Sequence, residues 1–207
     1  MRILILGATG GLGSGLAQAL QGHELLLSGR KARELQALAE RVGGKALPAD
    51  LTDELEAQAL LAEAGELDML LHAVGLAARS PVRDTGRDLL ERMLQTHFLS
   101  AAFLLKHARF RQGGRAVFFG AYPTYVQVPG FAAYAAAKGA MEWYLEAARK
   151  ELRREGVRLV LVRLPAVATG LWAPLGGPPK GALTPEEAAQ KVVEGVLREP
   201  PPEVLEV

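Results

Sequence analysis

Arg2-Ile3-Leu4-Ile5-Leu6-Gly7-Ala8-Thr9-Gly10-Gly11-Leu12-Gly13 opens the chain, and its reading decides the fold. The aliphatic run Ile3–Leu6 is apolar at odd and even positions alike, as in a strand buried on both faces. It stops at Gly7 after only four residues, so the start reads as a strand and not as a signal peptide. Glycines 7, 11 and 13 fit Gly-x-x-x-Gly-x-Gly, and Gly10 adds the related Gly-x-x-Gly-x-x-Gly. Three needs are met by such a pattern: a tight strand-to-helix turn, close approach of backbone to a pyrophosphate, and close packing of helix on strand. The pyrophosphate then lies at the positive end of a helix beginning near Leu12. With 23 glycines in the chain, an ordinary turn is the competing reading; the strand before and the helix after favour the dinucleotide turn.

Outward from this turn, short apolar runs alternate with longer amphipathic stretches. Strands are expected at Arg2–Leu6, Glu24–Ser28, Lys45–Leu47, Met69–Val74, Ala116–Phe119, Arg158–Leu164 and, weakly, Val204–Val207. Helices are expected at Leu12–Gln21, Ala32–Arg41, Asp53–Glu63, Arg87–His107, Ala132–Arg154 and Pro185–Leu197. The last begins on Thr184-Pro185-Glu186-Glu187, a capping threonine, a first-turn proline and acids facing the positive dipole end. The alternation implies an α/β fold: a doubly wound parallel sheet of about seven strands with helices on both faces. Residues 1–207 read as a single domain. Within it, the Gly- and Pro-rich segment 165–183 follows a strand's carboxyl end, where doubly wound folds place ligands.

Composition narrows the functional classes. A net charge of +1 with interspersed signs argues against a nucleic-acid surface or a polybasic membrane anchor. No apolar run reaches the ~18 residues of a membrane span, and a cytoplasmic location is expected. The absence of cysteine excludes disulfides and thiolate chemistry, and the four histidines lack metal-ligand spacing, so no metal is expected. Asparagine is also absent, and Arg outnumbers Lys. Loss of Asn and Cys fits a heat-adapted protein, with a melting temperature above roughly 60 °C.

The second strand ends in Leu27-Ser28-Gly29-Arg30-Lys31. A site for NAD would place an acid here to hold the ribose 2′-hydroxyl. Arg30 and Lys31 stand there instead, and arginine suits a 2′-phosphate, so NADP(H) is favoured over NAD(H). Solvated charges at a helix start are the plainer alternative.

Tyr134-Ala-Ala-Ala-Lys138 places a phenol and an ammonium on one helix face. A nearby ammonium favours phenolate, so Tyr134 is expected to have a lowered pKa and to exchange protons near neutrality. Tyr-x-x-x-Lys alone is common; its company is what makes it specific. Gly7-Ala-Thr9-Gly-Gly11-Leu12-Gly13, Ala49-Asp50-Leu51-Thr52, Asp68-Met-Leu-Leu-His-Ala73-Val-Gly75, Pro129-x-x-x-x-Tyr134-x-x-x-Lys138 and Pro165-x-x-x-Thr169 occur in this order. In these motifs the chain resembles the short-chain dehydrogenase/reductase family, simple single-domain branch, over nearly its whole length. The resemblance implies a Rossmann fold with Gly7, Thr9, Gly11, Leu12 and Gly13 around the pyrophosphate. It implies Asp50 and Leu51 near the adenine, Ala73 and Gly75 along the adenosine ribose, and Thr169 on the carboxamide. Tyr134 and Lys138 would be the catalytic pair, with Lys138 also on the nicotinamide ribose. A small-molecule carbonyl or alcohol would be the substrate.

The departures are specific. Where the family carries a serine, thirteen residues before the tyrosine, stands Ala121. The Asn-Asn-Ala-Gly pattern is His72-Ala73-Val74-Gly75, and the helix asparagine aligns with His97. The threonine before the first glycine is Leu6, and the loop after Pro165 is one residue short before Thr169. Tyr122 or Thr124 lies near enough in sequence to replace the missing hydroxyl. His97 either relays protons near neutrality or simply packs in its helix. Two functions follow: an oxidoreductase moving hydride between a nicotinamide and a carbonyl, or a catalytically weak dinucleotide-binding sensor. Leu171, Trp172 and Leu175 are expected to line the substrate end. The two long helices, carrying Leu89, Leu90, Met93, Leu94, Trp143, Tyr144 and Leu145, suggest a homodimer or homotetramer.

Overall fold

A computed structural model describes residues 1–207. Seven parallel strands form one sheet in the order β3-β2-β1-β4-β5-β6-β7. They are β1 (Arg2–Leu6), β2 (Glu24–Gly29), β3 (Lys45–Pro48), β4 (Glu66–His72), β5 (Arg109–Ala121), β6 (Arg158–Leu164) and β7 (Val204–Glu206). The chain winds outward one way from β1 to β3, then returns to start β4 on the other side of β1. That reversal opens a crevice at the carboxyl ends of β1 and β4.

The apolar character of β1 is explained by both faces being covered. Ile3 and Ile5 enter one core with helices α1 (Gly11–Ala19), α2 (Ala32–Val42) and α8 (Pro185–Val196). Leu4 and Leu6 enter the other, with α3 (Glu54–Ala64), α5 (Ser100–His107) and α7 (Ala132–Arg154). All four β1 side chains are fully buried. At roughly 1.5–3 kcal/mol for each buried aliphatic side chain, such strands dominate the stability of the fold. The α8 start forms the capping box its sequence announces: Glu187 N–H donates to Thr184 Oγ1, and Thr184 N–H to the Glu187 carboxylate.

Three differences from the sequence reading have local causes. β5 begins at Arg109, because the polar stretch 109–114 pairs by backbone with the start of β4 across a register shift. The long helix expected at 87–107 is instead α4 (Arg87–Leu94), one π turn (Gln95–Leu99) and α5. No glycine or proline marks that turn, so side-chain periodicity does not reveal it. A short helix, α6 (Pro123–Val126), interrupts the link from β5 to α7. No helix is long and apolar enough to cross a membrane.

Candidate active site

The crevice at the switch point holds a cleft of about 370 Å³. Thr9, Gly11, Leu12, Ala73, Gly75, Tyr134, Lys138 and Thr169, all singled out from sequence, line it together with Ala121, Tyr125, Phe131 and Trp172. Gly7 and Gly13 shape it from behind. Gly7 takes φ +74°, and a Cβ there would stand 2.8 Å from the Ala73 carbonyl oxygen. A Cβ on Gly13 would stand 2.2 Å from the Gly7 oxygen, so only glycine lets α1 sit this close to the end of β1. At Gly11 the added carbon would meet the Thr169 methyl at 2.7 Å.

The N-terminus of α1 opens on this cleft with no side-chain cap and no acid in its first turn. The N–H groups of Gly11, Leu12 and Gly13 take no partner within the protein, whereas Gly10 N–H is spent on the Gly7 carbonyl at 2.9 Å. A helix start without a cap, with a backbone stripped of side chains around it, fits an anionic diphosphate.

Arg30, Lys31, Asp50 and Leu51 lie outside the cleft lining. Lys31 is ion-paired to Glu34 at 2.9 Å, while exposed Arg30 makes no ion pair. Thr9 Oγ1 stands beside Gly29, which brings the end of β2 up to the rim of the cleft. Burial tends to raise the Asp50 pKa, but the Thr52 N–H and hydroxyl bonds and the nearby Arg30 charge outweigh it, leaving a net lowering. Asp50 Oδ1 is engaged with Thr52 at 3.0 and 2.8 Å, and the Leu51 side chain is buried. Asp50 therefore also orders its own turn, as a residue at a strand end commonly does.

Tyr134 and Lys138 sit one turn apart on α7. Lys138 Nζ donates to the Phe119 carbonyl at 2.6 Å and stands 5.9 Å from the Tyr134 ring centre. The expectation of an acidified phenol is overturned. Burial pushes the Tyr134 phenol up to about 12 and brings the Lys138 ammonium down to about 8, with Glu142 opposing the latter. Desolvation disfavours charge on both groups. The phenol is thus held in its proton-donating form at neutral pH.

The histidines behave likewise. His97 lies in the π turn, fully buried, with its ring edge-on to Tyr134 at 5.2 Å. Its Nε2 meets the Leu76 carbonyl at 2.7 Å and the Leu76 N–H at 3.4 Å, and Nδ1 is buried without a partner. Burial, then the Lys138 charge, drive its pKa well below 6.5, which overturns the reading of His97 as a group titrating near neutrality. His72 is brought to about 3 by burial and then by Lys138; its Nε2 meets Ser100 Oγ at 2.9 Å.

Ala121 lines the cleft with no donor to offer. Neither proposed substitute stands in for it: Tyr122 turns its hydroxyl to the Val207 carbonyl at 3.4 Å, and Thr124 is exposed outside the lining. Tyr125, which sequence reasoning passed over, does line the cleft, half exposed and edge-on to Tyr122 at 6.2 Å. Proline at the first position of α6 was the available signal for the turn that places it there. Thr169 accepts the Leu171 N–H at 3.3 Å and starts the short 3₁₀ turn Gly170–Leu175. Leu171 and Trp172 line the cleft, with Trp172 also tied by Nε1 to the Val167 carbonyl at 2.9 Å. Leu175 instead packs against the apolar cluster around Tyr134.

Fold and cleft together define a doubly wound α/β protein with a tyrosine–lysine pair at its switch point. A family model described as short chain dehydrogenase matches residues 1–178, and the chain belongs to this family of oxidoreductases. A solved structure from Thermus thermophilus, assigned as a short-chain oxidoreductase, is 72% identical, with a TM-score of 0.92 and all of both chains covered. Human dehydrogenase/reductase SDR family member 7 is 30% identical over 171 residues, which cover 73% of this chain and 50% of that protein. The chain thus spans about half the length of this curated relative. A Burkholderia cenocepacia short chain dehydrogenase solved with NADP shares the fold at 21% identity, with a TM-score of 0.85 over all of this chain and 95% of that one.

Proposed function

We propose that the chain is an NADPH-dependent carbonyl reductase. The observation that carries this reading is the buried Tyr134–Lys138 pair facing the uncapped start of α1 across one cleft. The N–H groups of Gly11, Leu12 and Gly13 would hold the pyrophosphate, Ala73 and Gly75 the adenosine ribose, and Thr169 the carboxamide. Arg30, the cation left without an ion pair at the end of β2, would bind the 2′-phosphate, with Lys31 beside it. When bound, the reduced dinucleotide supplies the hydride.

Tyr134 then gives its proton to the developing alkoxide. A phenol that burial holds protonated at neutral pH is in the form that donates this proton. Lys138 keeps two N–H donors free beyond its bond to Phe119 and would use them on the ribose hydroxyls. The apolar walls of Phe131, Leu171 and Trp172 suit a small, moderately apolar carbonyl compound.

Ala121 favours a second reading, a dinucleotide-binding sensor with little turnover. One cuvette separates the two: fluorescence titration with NADPH and NADH, then a carbonyl panel followed by cofactor oxidation. Tight NADPH binding with turnover is expected. Tight binding with no turnover across the panel favours the sensor, and binding of neither dinucleotide overturns both readings.

Self-association is part of the proposal. Leu90, Leu94 and Trp143 of the two long helical segments remain exposed, Trp143 by 77%, which supports a homodimer or homotetramer. A monomer mass in light scattering at micromolar concentration would overturn it.

A further inference from the structure

Tyr134, Lys138 and Glu142 recur every four residues along α7 and share one face. The first two face the cleft; the third meets the ends of β5 and β6. Glu142 Oε1 lies 2.6 Å from where a Cβ on Gly120 would stand. Gly120 has no positive φ, so its backbone does not demand glycine; the carboxylate occupies the space a side chain would fill. Glu142 Oε2 accepts from Arg163 Nη2 at 3.0 Å, and Arg163 is the register partner of Gly120 across β5 and β6. Gly120 itself follows Phe119, whose carbonyl receives the Lys138 ammonium. The Glu142 side chain is only 22% exposed, so water screens its charge poorly.

We propose that Glu142 is a positioning residue that acts through Lys138: its carboxylate, clamped by Arg163 in the space left at Gly120, keeps the ammonium charged beside Tyr134. The clamp has a second effect. With Oε2 given to Arg163, Glu142 forms no salt bridge with Lys138, which lines the cleft with its remaining donors uncommitted. The other titratable groups around Lys138 are Tyr134 on α7, His72 on β4 and His97 in the π turn. All three are held neutral at pH 7 by burial. Arg163 on β6 and exposed Glu206 on β7, 3.9 Å apart, lie beyond Glu142. Glu142 is thus the one anion that supports the charge on Lys138. This inference rests on Tyr134 and Lys138 being the proton-handling pair.

The test reads Lys138 directly. Competitive acetylation with acetic anhydride across about pH 6–10, with peptide mass spectrometry, yields the titration midpoint of each lysine without any need for turnover. From about 8 in the native protein, the Lys138 midpoint should fall by about one pH unit in Glu142→Gln. Glu142→Asp, which keeps the charge, should restore most of that fall. Arg163→Gln should move the midpoint upward, because it removes a cation and lets Glu142 close on Lys138. In a reductase, the alkaline limb of kcat/KM should move with each midpoint. An unchanged midpoint in folded Glu142→Gln overturns the proposal, as do equal shifts in the Gln and Asp variants or a fall in Arg163→Gln. Absence of turnover with the expected midpoints counts against the reductase reading alone.

Discussion

The two ends of the cleft are built from different materials. At the α1 end the chain works by omission: glycines at 7, 11 and 13 expose backbone N–H groups, and a side chain at Gly13 would collide with the Gly7 carbonyl. At the α7 end it works by side chains gathered from distant segments, namely Ala121 from β5 and Tyr134 and Lys138 from α7, with His97 of a π turn packed against Tyr134. Backbone donors hold any diphosphate in much the same way, whereas side-chain charge depends on what surrounds it. The first end thus tolerates little change. The second can lose a hydroxyl at position 121 and still present an acid.

The largest expected effect tests that division. Tyr134→Phe should reduce turnover by about 100- to 10,000-fold while the NADPH dissociation constant stays unchanged; steady-state kinetics beside fluorescence titration measures both. A parallel loss of binding would show that the two ends are not separable. Next, Ala121→Ser should raise kcat/KM for a simple ketone by up to about 100-fold, because it restores an oxyanion-type donor next to the phenol. No gain would mean that another group, with Tyr125 the nearest candidate, already polarises the carbonyl.

At the other end, Gly13→Ala should destabilise the fold by about 1–3 kcal/mol in urea unfolding and weaken NADPH and NADH binding together. Smallest is a pH effect at the catalytic end. His72 titrates at about 3 when folded and near 6.5 when unfolded, so below pH 6.5 the unfolded chain binds the extra proton and stability falls on acidification. Between pH 6.5 and 5.5 the loss from His72 is about 1 kcal/mol, and His97 adds to it in the same direction. Urea midpoints at the two pH values check this, and His72→Asn should flatten the slope.

The same contrast explains what could be read in advance. The strand β1, its turn and the start of α8 were legible because each rests on local rules: two-face burial, glycine geometry and a capping box. Tyr134 and Lys138 were legible as a pair, since four residues of helix bring them together. The ionisation of Tyr134 was not, because it depends on burial by Met93 and the loop that carries Trp172, both remote in sequence, as well as by neighbouring Phe131. The π turn at His97 has no glycine or proline to announce it, and Tyr125 entered the cleft through a four-residue helix too short to show a period. Glu142 stood in plain view four residues beyond Lys138. Its meaning came only from Gly120 and Arg163, which meet it across two strands.

By itself, then, the sequence determined the winding of the sheet, the place of the glycine-rich turn and the helix face that carries the phenol and ammonium. These follow from period, from glycine and from contacts within one or two turns of chain. The tertiary structure alone decided which groups are charged, which hydroxyls reach the cleft and which carboxylate attends the lysine. Those depend on desolvation and on distances between segments far apart in the chain, which no local pattern encodes.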